Sequence, residues 1–168
     1  MTDVALRPIR IEDLPRVASL LDDALGTGFW DLDLDAIGSH LVAVLDGGLV
    51  GVASATVIPW LRFAPELPGP VGLVRIVAVS PEARGAGIAT RLTGAIDEEC
   101  LRLGAASLAA FAWVHAGTKR GALAGVLERL GYRFKERLDG FYATGSGTED
   151  CPACEQNPCV CMADLYVR

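Results

Sequence analysis

The ten residues from Pro81 to Thr90, P-E-A-R-G-A-G-I-A-T, join an apolar run to a stretch with helical periodicity. The apolar run, Val71 to Val79, is typical of a central strand that is covered on both faces. Gly85 and Gly87 remove side chains where a backbone must approach a ligand closely. The first N–H groups of the following helix have no acceptor within that helix, so an anion can accept their hydrogen bonds. These residues therefore predict a strand, a loop and a helix that together bind phosphate.

The spacing of the glycines indicates which kind of phosphate site this is. A dinucleotide-binding loop requires G-x-G-x-x-G, but Thr90 stands in place of the third glycine. A nucleoside triphosphate loop requires a lysine that this loop lacks. The pattern that fits is R-x-x-G-x-A, from Arg84 to Ala89, although a glycine pair alone would also fit an ordinary tight turn. In this pattern the chain resembles the GNAT superfamily of N-acetyltransferases, whose Q/R-x-x-G-x-G/A motif binds the pyrophosphate of acetyl-coenzyme A (acetyl-CoA).

Three further segments extend this resemblance over most of residues 4 to 138. Val77 to Pro81 match the hydrophobic-Ala-Val-x-Pro sequence that precedes the motif in the family. Ala5 to Leu21 resemble the family's opening strand and first helix, and Leu130-Gly131-Tyr132 resembles its late L-G-F turn. The resemblance implies an α/β fold of the mixed, α+β kind. Its sheet would be mostly antiparallel, with splayed central strands, and flanked by helices.

The periodicity of apolar residues predicts a compatible set of elements. Spacings of three and four predict helices from Leu14, from Gly87 and over Lys119 to Leu130. Apolar, β-branched runs predict strands over Val4–Ile9, His40–Leu45, Leu49–Ile58, Val71–Val79, Ser107–Val114, Tyr132–Arg137 and Met162–Arg168. The turn residues Asp46-Gly47-Gly48 would join the second and third strands as a hairpin. We divide the chain into an acetyltransferase domain, residues 1–140, and a segment, residues 141–168, with a linker, a four-cysteine knuckle and a closing strand.

Composition limits the classes of protein that fit. The length of 168 residues and an apolar fraction of 51% are typical of one globular domain. There is no uncharged apolar stretch of ~18 residues and no secretion signal, so we expect no membrane span and a cytoplasmic location. A net charge of −6 argues against nucleic acid and anionic membranes as partners, because both require clustered basic residues. Whether the chain forms a homodimer stays open.

The resemblance implies how the acetyl donor binds. The cosubstrate acetyl-CoA would place its pyrophosphate on the loop amides and its pantetheine arm along the preceding strand, like an added strand. A backbone N–H at Val77 or Val79 would point at the thioester carbonyl. The cofactor-binding residues would be Val77, Ala78, Val79, Arg84, Gly85, Ala86, Gly87, Ile88, Ala89 and Thr90.

The acid and base of the reaction are missing from their usual places. Many relatives have a glutamate just ahead of the hydrophobic-Ala-Val triplet, where this chain has Arg75-Ile76, and a tyrosine where it has Leu127. Glu66, His115 and Tyr142 are the candidate catalytic residues, although each also fits an ordinary solvated, hydrogen-bonded or packed side chain. A water relay is the other route.

The second unusual feature is a group of cysteines. Cys151, Cys154, Cys159 and Cys161 form C-x2-C-x4-C-x-C, a spacing that lets four sulfurs converge. In a reducing compartment this favours a structural zinc with a closed tetrahedral shell, whereas a redox-active C-x-x-C pair and incidental cysteines are the alternatives. The remaining cysteine, Cys100, is typical of a small buried side chain.

These observations predict an N-acetyltransferase that moves an acetyl group from acetyl-CoA to a primary amine of a small molecule or a protein. The alternative, motivated by the missing acid and base, is a non-catalytic acyl-CoA sensor. A docking role for the cysteine knuckle is a third hypothesis, and its acidic surroundings argue against nucleic acid. Segments that border the acceptor site in relatives contain Asp31, Asp33, Asp35 and Glu66, which favours a cationic acceptor.

Overall fold

The computed structural model describes residues 4–27, 30–143, 151, 153–156 and 158–168. The strands in this part of the chain are β1 (Ala5–Pro8), β2 (Gly38–Leu45), β3 (Gly48–Ile58), β4 (Val71–Val79), β5 (Ser107–Val114), β6 (Arg133–Leu138) and β7 (Met162–Val167). The α-helices are α1 (Leu14–Leu25), α2 (Ile88–Arg102) and α3 (Ala124–Arg129). Every described helix is too short or too polar to cross a membrane.

All described strands belong to one sheet with the order β1-β2-β3-β4-β5-β7-β6. Neighbouring strands are antiparallel except β4 and β5, which are parallel and are connected through α2. The predicted fold class, a mixed and mostly antiparallel sheet flanked by helices, is therefore confirmed. The predicted hairpin is present between β2 and β3. Its turn residues, Asp46 and Gly47, have φ of 49° and 78°, as a two-residue turn between twisted strands requires.

Helices and loops cover the two faces of the sheet separately. On one face, here called the α2 face, Leu92 and Ile96 of α2 are buried against the sheet together with Leu127 of α3. The opposite face, here called the α1 face, has two apolar clusters. One lies under α1, and the other lies under residues 59–70, where Leu61 and Ala64 are buried. Apolar burial on both faces explains why the central strands read as continuous hydrophobic runs.

The central strands β4 and β5 part after a short paired stretch. Their parallel register runs from Val71 opposite Ser107 to Val74 opposite Ala110, and it ends there among the described residues. Immediately afterwards β4 contains an extra residue, Arg75, because Val74 lies opposite Ala55 of β3 and Ile76 lies opposite Ser54. Such a bulge bends a strand and interrupts its ladder. The C-terminal halves of β4 and β5 therefore border a V-shaped gap.

The predicted third helix is wrong in its first turn. We expected Lys119 to Leu130 to be helical, but α3 begins only at Ala124. The reason is a contact with β5: a Cβ added at Gly121 would lie 2.5 Å from the carbonyl oxygen of Trp113. This close approach of two backbones determines the path of residues 119–123 and overrides their helical periodicity.

Strand β7 lies between β5 and β6, so the last described residues are part of the central sheet. The predicted linker, Gly140 to Asp150, lies mostly outside the described residues. Two charged contacts hold β7 in place. Asp164 on β7 is buried and accepts two hydrogen bonds from Arg137 on β6, at 2.7 and 2.9 Å. Arg168 donates to Asp97 on α2 at 3.3 Å.

The Asp97 carboxyl is a buried acid in the core. Its side chain also accepts a hydrogen bond of 2.7 Å from the Tyr132 hydroxyl. Burial raises the pKa of Asp97 from 3.8 to about 6, because loss of water outweighs the hydrogen bond from Tyr132 and the charge of Arg168. The folded protein therefore binds this proton more tightly than the unfolded chain does.

We predict that Asp97 makes the protein less stable as the pH rises. Its contribution is fully present below pH 3.8 and is lost as the pH rises through about 6, because only the folded state raises the pKa. Urea unfolding between about pH 4 and 6 should show a negative slope of at most about 1.4 kcal/mol per pH unit from this group. Asp97→Asn should remove that slope. Asp23→Asn, an exposed change on α1, should leave it, and equal slopes in both variants would contradict the assignment.

Candidate active site

The loop between β4 and α2 presents a row of free N–H groups. The Arg84 N–H bonds to the Pro81 carbonyl at 3.3 Å, and the next backbone bond in the chain joins the Arg91 N–H to the Gly87 carbonyl at 3.1 Å. Between them, the N–H groups of residues 85–90 have no acceptor in the part of the chain that the structure describes. The helix dipole adds partial positive charge at the same point. This arrangement can bind a pyrophosphate.

The two glycines of the loop are required by the backbone. Gly85 and Gly87 have φ of 82° and 75°, which side chains other than glycine rarely adopt. A Cβ at either position would meet nothing within 4 Å, so the space beside the loop is open. Arg84 turns back along the loop, and its Nε donates to the Val79 carbonyl at 3.2 Å. The loop is thus held in shape by the strand that precedes it.

A cleft beside this loop extends to α3. It is lined by Val79, Ala83, Arg84, Gly85, Gly87, Ile88, Ala89, Thr90, Val126 and Arg129. Arg129 reaches the Thr90 hydroxyl at 3.5 Å and brings a second guanidinium to the cleft. Sequence reasoning missed Arg129, although a basic residue in the last turn of a helix was a signal. Arg91, in contrast, donates to the Val4 carbonyl at 2.7 Å and holds the N-terminal segment.

The strand residues predicted to bind the cofactor lie along the gap. Val77, Ala78 and Val79 pair with Ala53, Val52 and Gly51 of β3 on one edge. Their other edge faces the space left by β5, since the β4–β5 register has already ended. Backbone groups on that edge are available to an amide-bearing ligand that adds itself as a strand.

Of the three catalytic candidates, Glu66 is separated from the other two. It lies in the segment before β4, and its carboxylate forms an ion pair with Lys135 of β6. The hydrogen bond from Lys135 lowers the pKa of Glu66, so the carboxylate is a weaker base than a free glutamate. The structure does not bring Glu66 together with His115 and Tyr142.

His115 and Tyr142 lie on either side of one tryptophan at the end of β5. The Trp113 ring centroid is 4.7 Å from that of His115 and 5.5 Å from that of Tyr142. His115 is exposed, whereas burial raises the pKa of the half-buried Tyr142. His115 directly follows β5, and Tyr142 lies against Trp113 in the half of β5 that borders the gap.

These rings belong to a larger group, here called the aromatic wall. Phe111 of β5 contacts Phe141 at 4.6 Å and Phe63 at 5.7 Å between ring centroids, and Phe141 contacts Tyr142 at 4.9 Å. The wall consists of Phe63, Phe111, Trp113, Phe141 and Tyr142. Phe111 lies with the cluster under residues 59–70, so the wall is on the α1 face, opposite the glycine loop. Its members come from segments far apart in the sequence, which sequence reasoning did not connect.

The four cysteines of the C-terminal segment converge. Their sulfurs all lie within 4.8 Å of one another. Cys151 Sγ is 3.9 Å from Cys161 Sγ, and Cys154 Sγ is 3.8 Å from Cys159 Sγ. A tetrahedral zinc with bonds of about 2.3 Å holds its sulfurs about 3.8 Å apart, so the set could hold such an ion. The cluster packs against Trp113 and Tyr142 of the aromatic wall.

Hydrogen-bond donors surround these sulfurs. The Cys161 N–H donates to Cys159 Sγ at 3.4 Å, and the Val160 N–H lowers the pKa of Cys154 to about 7. The Trp113 indole N–H is buried without a hydrogen-bond partner among the described residues, yet it lies close enough to Cys161 to lower the pKa of that thiol. Burial acts in the opposite direction and raises the pKa of Cys161 and Cys159. A bound cation would compensate for this burial, which makes the donor set suitable for a metal.

Several solved structures share this fold. The ribosomal-protein-S18-alanine N-acetyltransferase of Escherichia coli has a TM-score of 0.66 and 16% identity, with 98% of this chain and 92% of that chain covered. An N-acetyltransferase of Staphylococcus aureus Mu50 has a TM-score of 0.68 and 17% identity, with 99% of this chain and 98% of that chain covered. NAA60 of Arabidopsis thaliana, in complex with a bisubstrate analogue, has a TM-score of 0.68 and 18% identity, with 99% of this chain and 97% of that chain covered. At these identities the likeness shows the fold.

The family follows from the sequence itself. No curated protein sequence is significantly similar to this chain. A profile of the acetyltransferase (GNAT) family, however, matches residues 5–132, which is most of the chain and includes β4, the glycine loop and α2. The chain therefore belongs to the GNAT family of acetyl-CoA-dependent N-acetyltransferases, and the predicted family, fold and enzyme class are confirmed.

Proposed function

We propose that acetyl-CoA and the acceptor amine meet in the gap between β4 and β5 from opposite faces of the sheet. The observation that carries this proposal is the end of the β4–β5 register at Val74 and Ala110, directly before the strand that leads into the glycine loop. The gap connects the free loop amides with the aromatic wall. A donor held on one face can thus present its thioester to an amine on the other.

On the donor side, the free N–H groups of residues 85–90 bind the pyrophosphate, and Arg84 and Arg129 add positive charge. The pantetheine arm extends along Val77 to Val79 as an added strand. A backbone N–H at Val77 or Val79 stabilises the negative oxygen of the tetrahedral intermediate. These assignments are supported by the open strand edge and by the positive φ of both glycines.

On the acceptor side, the amine attacks the thioester carbon directly, and coenzyme A leaves as the thiol. The E. coli protein named above acts on an alanine of a ribosomal protein, and Naa50 of Arabidopsis thaliana has been solved with a CoA-peptide bisubstrate analogue. The substrates in these two names support the proposal that the acceptor is the α-amine of a polypeptide or of a related small molecule. The reaction is proposed to take place in the cytoplasm.

We predict that the protein binds acetyl-CoA and releases free thiol with at least some members of a panel of primary amines. Gly87→Glu should abolish both, because the new carboxylate opposes the pyrophosphate charge and the side chain enters the site. Gly104→Glu is a matched control, since Gly104 also has positive φ, 97°, and a Cβ there meets nothing within 4 Å. Both variants should lose about 1–2 kcal/mol of stability from backbone strain.

Calorimetry and thiol release distinguish the outcomes of that experiment. Only the Gly87 variant should lose affinity for acetyl-CoA. Unchanged affinity in this variant would rule out the assignment of the loop. Tight binding by the wild-type protein without turnover of any amine would favour the acyl-CoA sensor.

We also predict that no single side chain is an indispensable general base. Glu66 is neutralised by Lys135, and His115 is exposed to solvent beside Trp113. Glu66→Gln, His115→Ala and Tyr142→Phe should therefore each reduce kcat by less than the ~10²–10⁴-fold typical of positioned acid–base groups, with water relaying the proton. A thousandfold loss in one variant with intact acetyl-CoA affinity would contradict the relay and identify that residue as the base.

The four-cysteine cluster is proposed to bind one structural zinc ion. The sulfur separations of 3.8 and 3.9 Å fit a tetrahedron. The surrounding N–H groups offset the negative charge of four thiolates around a dication. Four thiolates complete the coordination shell, so this zinc would leave no open position for substrate. Its effect would be to tie the connection between β6 and β7 to the sheet.

We predict close to one zinc per chain in protein purified without a metal-affinity step. Cys154→Ala should lower the zinc content well below one per chain, because it removes one of the four thiolate ligands, and should loosen the segment before β7. Cys100→Ala is the control, since Cys100 is buried in the core away from the cluster and should not alter the metal content. Elemental analysis of both variants is the measurement. Four titratable thiols without metal, or a mass that shows two disulfides, would contradict the site.

A further inference from the structure

Arg75 is the extra residue of the β4 bulge, and the bulge determines the face on which it lies. Val74 and Val77 both pack with the cluster on the α2 face. Two residues separate them, and one of these, Ile76, is buried in the cluster under α1. In a bulge, two consecutive residues oppose one residue of the neighbouring strand, so Arg75 lies with Ile76 on the α1 face.

On this face Arg75 falls between two apolar clusters. Towards the start of β4, Leu73 belongs to the cluster under residues 59–70, and after the bulge Ile76 belongs to the cluster under α1. Arg75 itself is exposed. Val74 and Ala110 form the last pair between β4 and β5. Arg75 directly follows Val74 on β4, and Phe111 of the aromatic wall directly follows Ala110 on β5. Arg75 therefore lies at the apex of the gap, on the acceptor side.

The Arg75 guanidinium has no counter-ion among the residues that the structure describes. It forms no ion pair and no side-chain hydrogen bond with them, although most other arginines of this acidic chain do. Two of the four carboxylates predicted to border the acceptor site are engaged elsewhere: Glu66 pairs with Lys135, and Asp33 accepts the N–H groups of Asp35 and Ala36. A second arginine, Arg62, lies over the Phe63 ring at 4.6 Å. Positive charge thus flanks the aromatic wall.

We propose that Arg75 binds a carboxylate of the acceptor, so that the substrates are amines that also carry a carboxylate, with an apolar part against the aromatic wall. This inference rests on the proposed function, since it names the acceptor class of the same site. Arginine suits the task because its planar guanidinium stays charged and can hold a carboxylate through two hydrogen bonds. A fixed positive charge near the amine also disfavours the ammonium form, which promotes the free amine without a general base. This proposal differs from the cationic acceptor that Asp31, Asp33, Asp35 and Glu66 favour in the sequence.

The carboxylate can come from two sources. It can be the α-carboxylate of a free amino acid, or an acidic side chain near the N terminus of a peptide. One pair of probes, phenylalanine and 2-phenylethylamine, tests the first source. A second pair, the amidated tripeptides Phe-Glu-Gly and Phe-Gln-Gly, tests the second.

The experiment compares kcat/KM for both pairs in the wild type, in Arg75→Ala, in Arg75→Lys and in the control Arg133→Ala. Arg133 is an exposed arginine on the outer strand β6. The wild type and the control should prefer the carboxylate-bearing member of at least one pair. Arg75→Ala should lower that preference by on the order of 10- to 100-fold, the range for a hydrogen bond to a charged group, and Arg75→Lys should restore part of it. Each preference is a ratio of kcat/KM between the two members of a pair, and differences in amine basicity cancel when this ratio is compared between variants.

Calorimetric titration of the four probes into the CoA complex provides a second measurement that does not require turnover. If no probe is acetylated, the proposed function fails for these amines, and the binding preference alone tests Arg75. A wild type that prefers neither carboxylate by either measurement would overturn the proposal. An Arg75→Ala variant that keeps the preference, or that weakens all probes equally, would overturn it as well.

Discussion

The parting of β4 from β5 is the constraint on which the rest of the site depends. Arg75 adds one residue to β4 relative to β3, and the bend that results coincides with the end of pairing to β5. Beyond this point the strand edges need other partners for their N–H and C=O groups. An extended chain of amides, such as pantetheine, can supply such partners, so in the proposed donor site the irregularity in the sheet would make room for the cosubstrate.

The same gap divides the chemistry between the two faces of the sheet. The α2 face carries the free loop amides together with Arg84 and Arg129, which suit a doubly charged pyrophosphate. The α1 face carries the aromatic wall and Arg75, which suit an apolar amine with one negative group. In the proposed arrangement, separate faces would allow the two substrates to bind without competing for the same surface, and the amine would attack the thioester directly.

The cysteine cluster lies in the connection between β6 and β7 and packs against Trp113 of the aromatic wall. Its ring contacts Tyr142 and His115, and its indole N–H lies toward Cys161. The cysteine cluster and the aromatic wall therefore share one side chain. The proposed zinc ion would add its binding free energy to the folding of this cluster and would thereby help to hold Trp113 in the wall.

The sequence by itself determined the family, the β4–loop–α2 unit and the spacing of the four cysteines, because each depends on residues that are close in the chain. Periodicity, positive φ at Gly85 and Gly87, and knuckle spacing are local properties. Only the tertiary structure decided that Glu66 is neutralised by Lys135, that Arg75 has no counter-ion among the described residues, and that α3 begins late. Charge neutralisation and ring packing join residues from distant segments, and local patterns carry no information about which distant groups will meet. The proposed acceptor side is built from such contacts, whereas the proposed donor side is built mainly from one continuous segment.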